Sequence, residues 1–149
     1  MKVVLDTNVL ISGLLTPFSP CGEIVRMAAA GELTLCLDAR VLSEYGDVLR
    51  RPRFRFAPDL VAALLDQVSH AGVPVAASPL VASLPDPDDA AFLEVALAGS
   101  AACLITGNLK HFPAALRQGL TVLPPRDFLD YYRRHRVQPA RRRSSGRRP

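Results

Sequence analysis

The sequence predicts an α/β fold, a mainly parallel sheet of about five strands with helices on both faces. Two observations carry this. Short apolar runs rich in Val, Ile and Leu recur along the chain and read as buried strands. Between them lie stretches of helical periodicity with their own start and stop signals, the alternation that builds crossover units. Length and composition agree: 149 residues, 49% of them hydrophobic, suffice for one domain with a real core.

The chain opens on residues 2–6, where Val3-Val4-Leu5 reads as a buried strand closing on a carboxylate, Asp6. Asn8–Leu15 makes a short helix, broken by Thr16-Pro17-Phe18-Ser19-Pro20. The next helix spans Cys21–Ala30, with Ile24, Val25, Ala28 and Ala29 on one face, and Gly31 stops it. Leu33–Leu37 is strand two. Asp38 caps a helix reaching about Arg50, whose apolar stripe is Val41, Leu42, Tyr45, Val48 and Leu49. Arg51–Phe56 is a loop alternating basic and aromatic residues. Pro58 opens a helix through Ala71, ended by Gly72, and Val73–Val81, interrupted by two prolines, holds a weak third strand. Asp86-Pro87-Asp88-Asp89 begins a helix that Gly99 ends. Ala102–Thr106 is strand four, Ala114–Gln118 a short helix, Leu120–Leu123 strand five, and Pro125–Tyr132 the last helix.

The net charge of +4 divides unevenly. Residues 133–149 carry eight arginines and no acid, whereas residues 1–132 carry 10 Lys and Arg against 14 Asp and Glu. The expected organisation is an acidic domain over 1–132 and a basic tail over 133–149, too poor in apolar residues to order itself. No apolar run approaches the roughly 18 residues of a membrane span, and the N-terminus lacks a signal pattern. The expectation is a soluble cytoplasmic protein without membrane contact. Three cysteines without metal spacing read as reduced thiols, Cys36 and Cys103 in the core and Cys21 near the surface. Phosphate-binding glycine loops of the P-loop or dinucleotide kind are absent. A phosphatase of the haloacid-dehalogenase type needs a second Asp two residues after Asp6, where Asn8 stands.

In an open parallel sheet, ligands sit beyond the carboxyl ends of the strands, so Asp6 points at that crevice. Asp, Thr and Asn also favour helix N-caps, which is the structural alternative. Thr106-Gly107-Asn108 ends strand four as Thr7-Asn8 follows strand one, and is equally compatible with an ordinary turn. Asp, Pro and acids in a first turn make a normal helix start at Asp86–Asp89. That does not explain where Asp89 points: at 100° per residue, Phe92, Leu93 and Ala96 lie within about 60° of it, on the apolar face. A carboxylate there is costly unless paired or bound to a metal. Glu44 sits at the edge of its helix stripe, about 100° from Tyr45.

These motifs together resemble the PIN-domain family, small nucleases related in chemistry to flap endonucleases. The resemblance rests on Val-Leu-Asp6-Thr7-Asn8, on Ser43-Glu44-Tyr45 in the helix after strand two, on Asp86-Pro87-Asp88-Asp89-Ala90-Ala91-Phe92-Leu93, and on Thr106-Gly107-Asn108, with Asn where many members have Asp. It spans about Lys2 to Leu129. The stretch Leu-Ile-Thr-Gly-Asn-Leu-Lys-His-Phe-Pro is similar to VapC-like toxins of toxin–antitoxin pairs. The resemblance implies a three-layer PIN-like sandwich, Mg²⁺- or Mn²⁺-dependent cleavage of single-stranded RNA, a homodimer, and a small antitoxin partner. It further implies Asp6 and Asp89 as principal metal ligands and Glu44 as a ligand directly or through water. Asn108 would coordinate through its carbonyl or hold a metal-bound water, with Asn8 and Thr106 supporting from behind. Arg51, Arg53 and Arg55 are candidate RNA contacts, with Phe54 or Phe56 either stacking on bases or anchoring the loop. His111 is assigned a structural role. The competing reading is a catalytically weak or inactive PIN-fold module that binds RNA without cutting it.

Overall fold

A computed structural model of the chain describes residues 1–145, with side chains described through residue 136. Strand β1 (Lys2–Leu5) lies at the centre, between β2 (Thr34–Leu37) and β4 (Cys103–Ile105). The edges are β3 (Val73–Pro74) and β5 (Val122–Leu123), giving the order β3-β2-β1-β4-β5 with every pair parallel. Val3 pairs with Leu35 on one side and Cys103 on the other, and Leu5 with Ile105. The chain thus builds outward from β1 twice, in opposite directions. The strand order reverses between β1 and β4, and a crevice opens at their carboxyl ends.

Among the described residues, six α-helices cover the sheet: α1 (Thr7–Leu15), α2 (Pro20–Ala29), α3 (Ala39–Leu49), α4 (Pro58–Ala71), α5 (Ala90–Ala98) and α6 (Pro125–Ser145). Ser19 caps α2 by accepting from the Gly22 N–H at 3.2 Å, and Asp38 caps α3 by accepting from Val41 N–H at 3.0 Å. Gly31, at φ +82°, ends the α2 turn in the left-handed region that glycine adopts freely. Side chains alternate across the sheet, so Leu35 faces a gap beneath α2 and α4 while Cys36 points toward α5, beside Gly99. Val3, Val4, Ile24, Val41, Leu93, Leu104 and Phe128 are fully buried and tie both helical layers to the strands. Among the described residues, no helix is long and apolar enough to cross a membrane.

The observed elements follow the expected order, with shifts that have local causes. The third strand shrinks to two residues, since Pro74 lacks a ladder donor. Asp89 belongs to a 3-10 turn, Pro87–Asp89, and α5 starts at Ala90. The 100° wheel drawn from Asp89 is therefore not its geometry, although Asp89 is buried as expected. Helix α6 continues past Tyr132: Tyr131 and His135 stack at 3.9 Å, and His135 Nδ1 bonds the Tyr131 carbonyl. Residues 146–149 of the expected unstructured tail lie outside the described residues, as do all side chains from 137 onward.

Candidate active site

Asp6 is the first residue beyond β1, in extended conformation before α1, yet its side chain caps nothing. Its Oδ2 instead accepts from the Thr106 hydroxyl at 2.7 Å, and its own N–H donates to the Ile105 carbonyl at 2.9 Å. The Asn108 N–H donates to the same Thr106 oxygen at 3.0 Å. The two polar strand ends, a hundred residues apart in sequence, are thus one structure at the reversal point of the sheet. Behind them the buried Tyr45 hydroxyl donates to the Leu5 carbonyl at 2.6 Å, pinning the end of β1.

Asp89 enters the same crevice from the turn before α5. Asp6, Asp89, Glu44 and Asn8 all line one open cleft, together with Thr7, His111, Arg51, Arg53 and Phe54. Burial pushes the Asp6 carboxyl above its usual range, against the Thr106 hydroxyl and the backbone N–H donors of Thr7 and Asn8. Burial and then the charge of Asp6 push Asp89 up to about 6. The repulsion falls on Asp89 because Asp6 holds the hydrogen bonds that favour its charged form. Glu44 is also raised, by burial first, with Arg51 pulling the other way and Asp6 contributing least among its acidic neighbours.

Among the described residues, two buried side-chain polar atoms lack a hydrogen-bond partner, Thr7 Oγ1 and Asp89 Oδ2. Both belong to residues of this cleft. His111 Nδ1 comes within 2.9 Å of Asp89 Oδ2, ion-pair range without hydrogen-bond alignment. On the far side of the ring, His111 Nε2 is 2.9 Å from the Asn108 amide nitrogen. Asn108 therefore stands behind His111 rather than in the cleft lining, and Thr106 is fully buried behind Asp6. Arg55, at φ +56°, does not line the cleft, whereas Arg51 and Arg53 do. His111, expected to be structural, and Tyr45, expected only as part of an apolar stripe, both reach the site. For His111 the available signal is its place three residues after Asn108, which a 3-10 turn at Leu109–His111 turns into contact.

Two neighbouring buried carboxylates, one with an orphaned oxygen, fit a hard divalent cation. Among the described residues, no three His, Cys, Asp or Glu side chains converge as ligands to one ion. A pair suits Mg²⁺ or Mn²⁺, which bind through one or two carboxylates and keep several waters, better than an ion that needs a complete protein cage.

A family model described as a PIN domain matches residues 2–110, nearly three quarters of the sequence. The chain belongs to the PIN-domain family. No curated protein matches it. Among solved structures, this PIN domain is similar to VapBC2 from Rickettsia felis bound to a DNA fragment from their promoter, with 16% identity and a TM-score of 0.56. That likeness covers 83% of this chain and 98% of the other, and it shows a shared fold.

Proposed function

We propose that this PIN domain is a Mg²⁺- or Mn²⁺-dependent endoribonuclease that cleaves single-stranded RNA in the cytoplasm, as the toxin of a toxin–antitoxin pair. The observation that carries the reading is the Asp6–Asp89 pair at the β1/β4 crevice, with Asp89 Oδ2 buried and unsatisfied. Asp6 and Asp89 would hold the ion, and Glu44 would join directly or through water. Bound there, the ion supplies charge neutralisation on a phosphodiester and a more acidic water. The protein's own contribution is placement. Thr106 fixes Asp6, the Asn108 backbone fixes Thr106, and His111 stands against Asp89 with the Asn108 amide behind it. Arg51 and Arg53 bring positive charge to a cleft whose acids would otherwise repel a nucleic acid. The fold likeness to VapBC2 supports an antitoxin as partner, and a homodimer is what the family resemblance implies.

The deciding experiment is cleavage of single-stranded RNA by the full chain with and without Mg²⁺ or Mn²⁺, beside a folded Asp89→Asn variant. Metal-stimulated cleavage lost in the variant is the expected result; equal cleavage by both removes the assignment. A second reading, RNA binding without cleavage, draws on Asn108, whose amide faces His111 and adds no charge for an ion. RNA bound but left intact at every metal concentration would establish it.

A further inference from the structure

The cleft is lined by two unlike kinds of residue. Beside the acids it presents Ile11, Leu15, Val48 and Phe54, with Arg51 and Arg53. Ile11 and Val48 belong to the buried core and Phe54 packs partly against it, so the fold accounts for them in part. A hydrated hard cation and phosphate oxygens gain nothing from the apolar surface that stays open. Leu15 is 50% exposed there, an apolar side chain kept at the rim of a charged cleft.

The loop that supplies Phe54 is built as a stack. Phe54 and Phe56 lie with ring centroids 5.8 Å apart and planes within 20°, and the Arg53 guanidinium carbon sits 4.8 Å over the Phe54 ring. Arg55 between the two rings takes φ +56°, a left-handed conformation that is costly for a side chain with a Cβ. This reversal lets residues two apart face each other. Arg51 lines the same cleft as Glu44, so this cation lies among the acids as well as beside Phe54.

We propose that the Phe54–Arg53 stack and the Leu15 wall form a subsite for an unpaired nucleobase next to the phosphate that an ion at Asp6 and Asp89 would neutralise, with Arg51 contacting the backbone between them. The inference rests on the ribonuclease reading for the position of that phosphate. Aromatic rings and guanidinium planes accept the face of any base. A base in a duplex has both faces covered by its neighbours, so the subsite selects single strands. Selection comes from geometry rather than from base identity, since the apolar wall offers no hydrogen-bond code.

The chain contains no tryptophan, so Phe54→Trp introduces a single reporter on the platform. With chelator present, the full-length variant is titrated with a short single-stranded RNA, the same strand in duplex, and an abasic ribose-phosphate strand of equal length. Quenching by the single strand alone is expected. Quenching by single-stranded DNA as well would also support the platform, which reads bases and not sugars. In wild-type background, Phe54→Ala and the bulk-preserving Phe54→Leu should each weaken single-strand binding roughly 10-fold or more. Their affinity for the abasic strand should not change. Equal quenching by the abasic strand, or wild-type affinity in both variants, overturns the subsite. If it fails while Asp89-dependent cleavage persists, the ribonuclease reading stands; if single strands quench but no metal supports cleavage, the subsite stands and the ribonuclease reading falls.

Discussion

Asp89 and Glu94 flank one turn of the same short helix, and both are buried, yet the protein treats them in opposite ways. Glu94 is fully partnered: Arg40 Nη1 lies 2.7 Å from Oε1, and the Leu80 N–H donates to Oε2 at 3.0 Å. It fastens the extended segment before Asp86 to α5 and joins α3 to both. Asp89 has an oxygen with no aligned donor, a like-charged neighbour, and a carboxyl pushed up to about 6. A buried carboxylate costs free energy until something compensates it. At Glu94 the fold compensates both carboxylate oxygens; at Asp89 the fold supplies only His111, 2.9 Å from Oδ2 without hydrogen-bond alignment, and the carboxyl stays raised. That contrast separates a structural acid from a site.

The largest effect should fall on activity. Asp6→Ala or Asp89→Asn should lower metal-stimulated RNA cleavage by more than about 100-fold, beyond what losing an outer partner costs. Glu94→Gln should stay near wild type in the same assay, and a dead Glu94→Gln with intact fold would erase the distinction. Next come the groups behind Asp89. Asn108→Ala and His111→Ala should each reduce metal affinity or cleavage about 10–100-fold, and the double variant should lose little more, because Asn108 acts through His111. Simple multiplication of the two losses, or an Asn108→Ala as inactive as Asp6→Ala, would put Asn108 in direct contact with the ion.

Stability should show the reverse order. Glu94→Ala should cost about 2 kcal/mol in denaturant unfolding, since it strands the Leu80 N–H and one arm of Arg40. The loss is limited because Arg40 is half exposed and keeps Asp38 at 2.7 Å. For Asp89, burial raises the folded pKa above the ordinary 3.8, so the native state holds its proton more tightly than the unfolded chain. The stability that this contributes is present at low pH and is lost as pH rises through about 6. Without metal, Asp89→Asn should therefore raise Tm by a few degrees at pH 7, with the gain vanishing below the unfolded pKa. Mg²⁺ or Mn²⁺ should raise the wild-type Tm at pH 7 and leave the variant nearly unmoved. A Tm for Asp89→Asn below wild type at pH 7 would show that Asp89, like Glu94, is compensated within the fold.

The smallest effect concerns the arginine-rich end. Deleting residues 137–149 should leave Tm nearly unchanged while flattening the salt dependence of RNA binding, because it removes five of the eight arginines beyond residue 132. An unchanged salt slope would mean that these arginines do not touch RNA.

Sequence by itself determined the alternation of elements, because each apolar run carries its own turn and cap signals. Asp38 before α3, Pro58 opening α4 and Gly31 after α2 act locally, and all three perform as written. It also marked Asp6 and Asp89, since a carboxylate at a strand end or against an apolar helix start is anomalous without reference to the rest of the chain. What stayed hidden were the contacts between distant residues. The family resemblance implied Thr106 behind Asp6, but the hydrogen bond itself exists because β4 lies beside β1, a pairing that depends on which strands become neighbours. Glu94 can be buried because Arg40 from α3 reaches it across 54 positions. Arg55 looked equal to Arg51 and Arg53 until one left-handed residue turned it out of the cleft. Local signals are set by backbone geometry within a few residues, and the chain carries them openly. Compensation of a buried charge is set by what packs against it, and only the tertiary structure decides that.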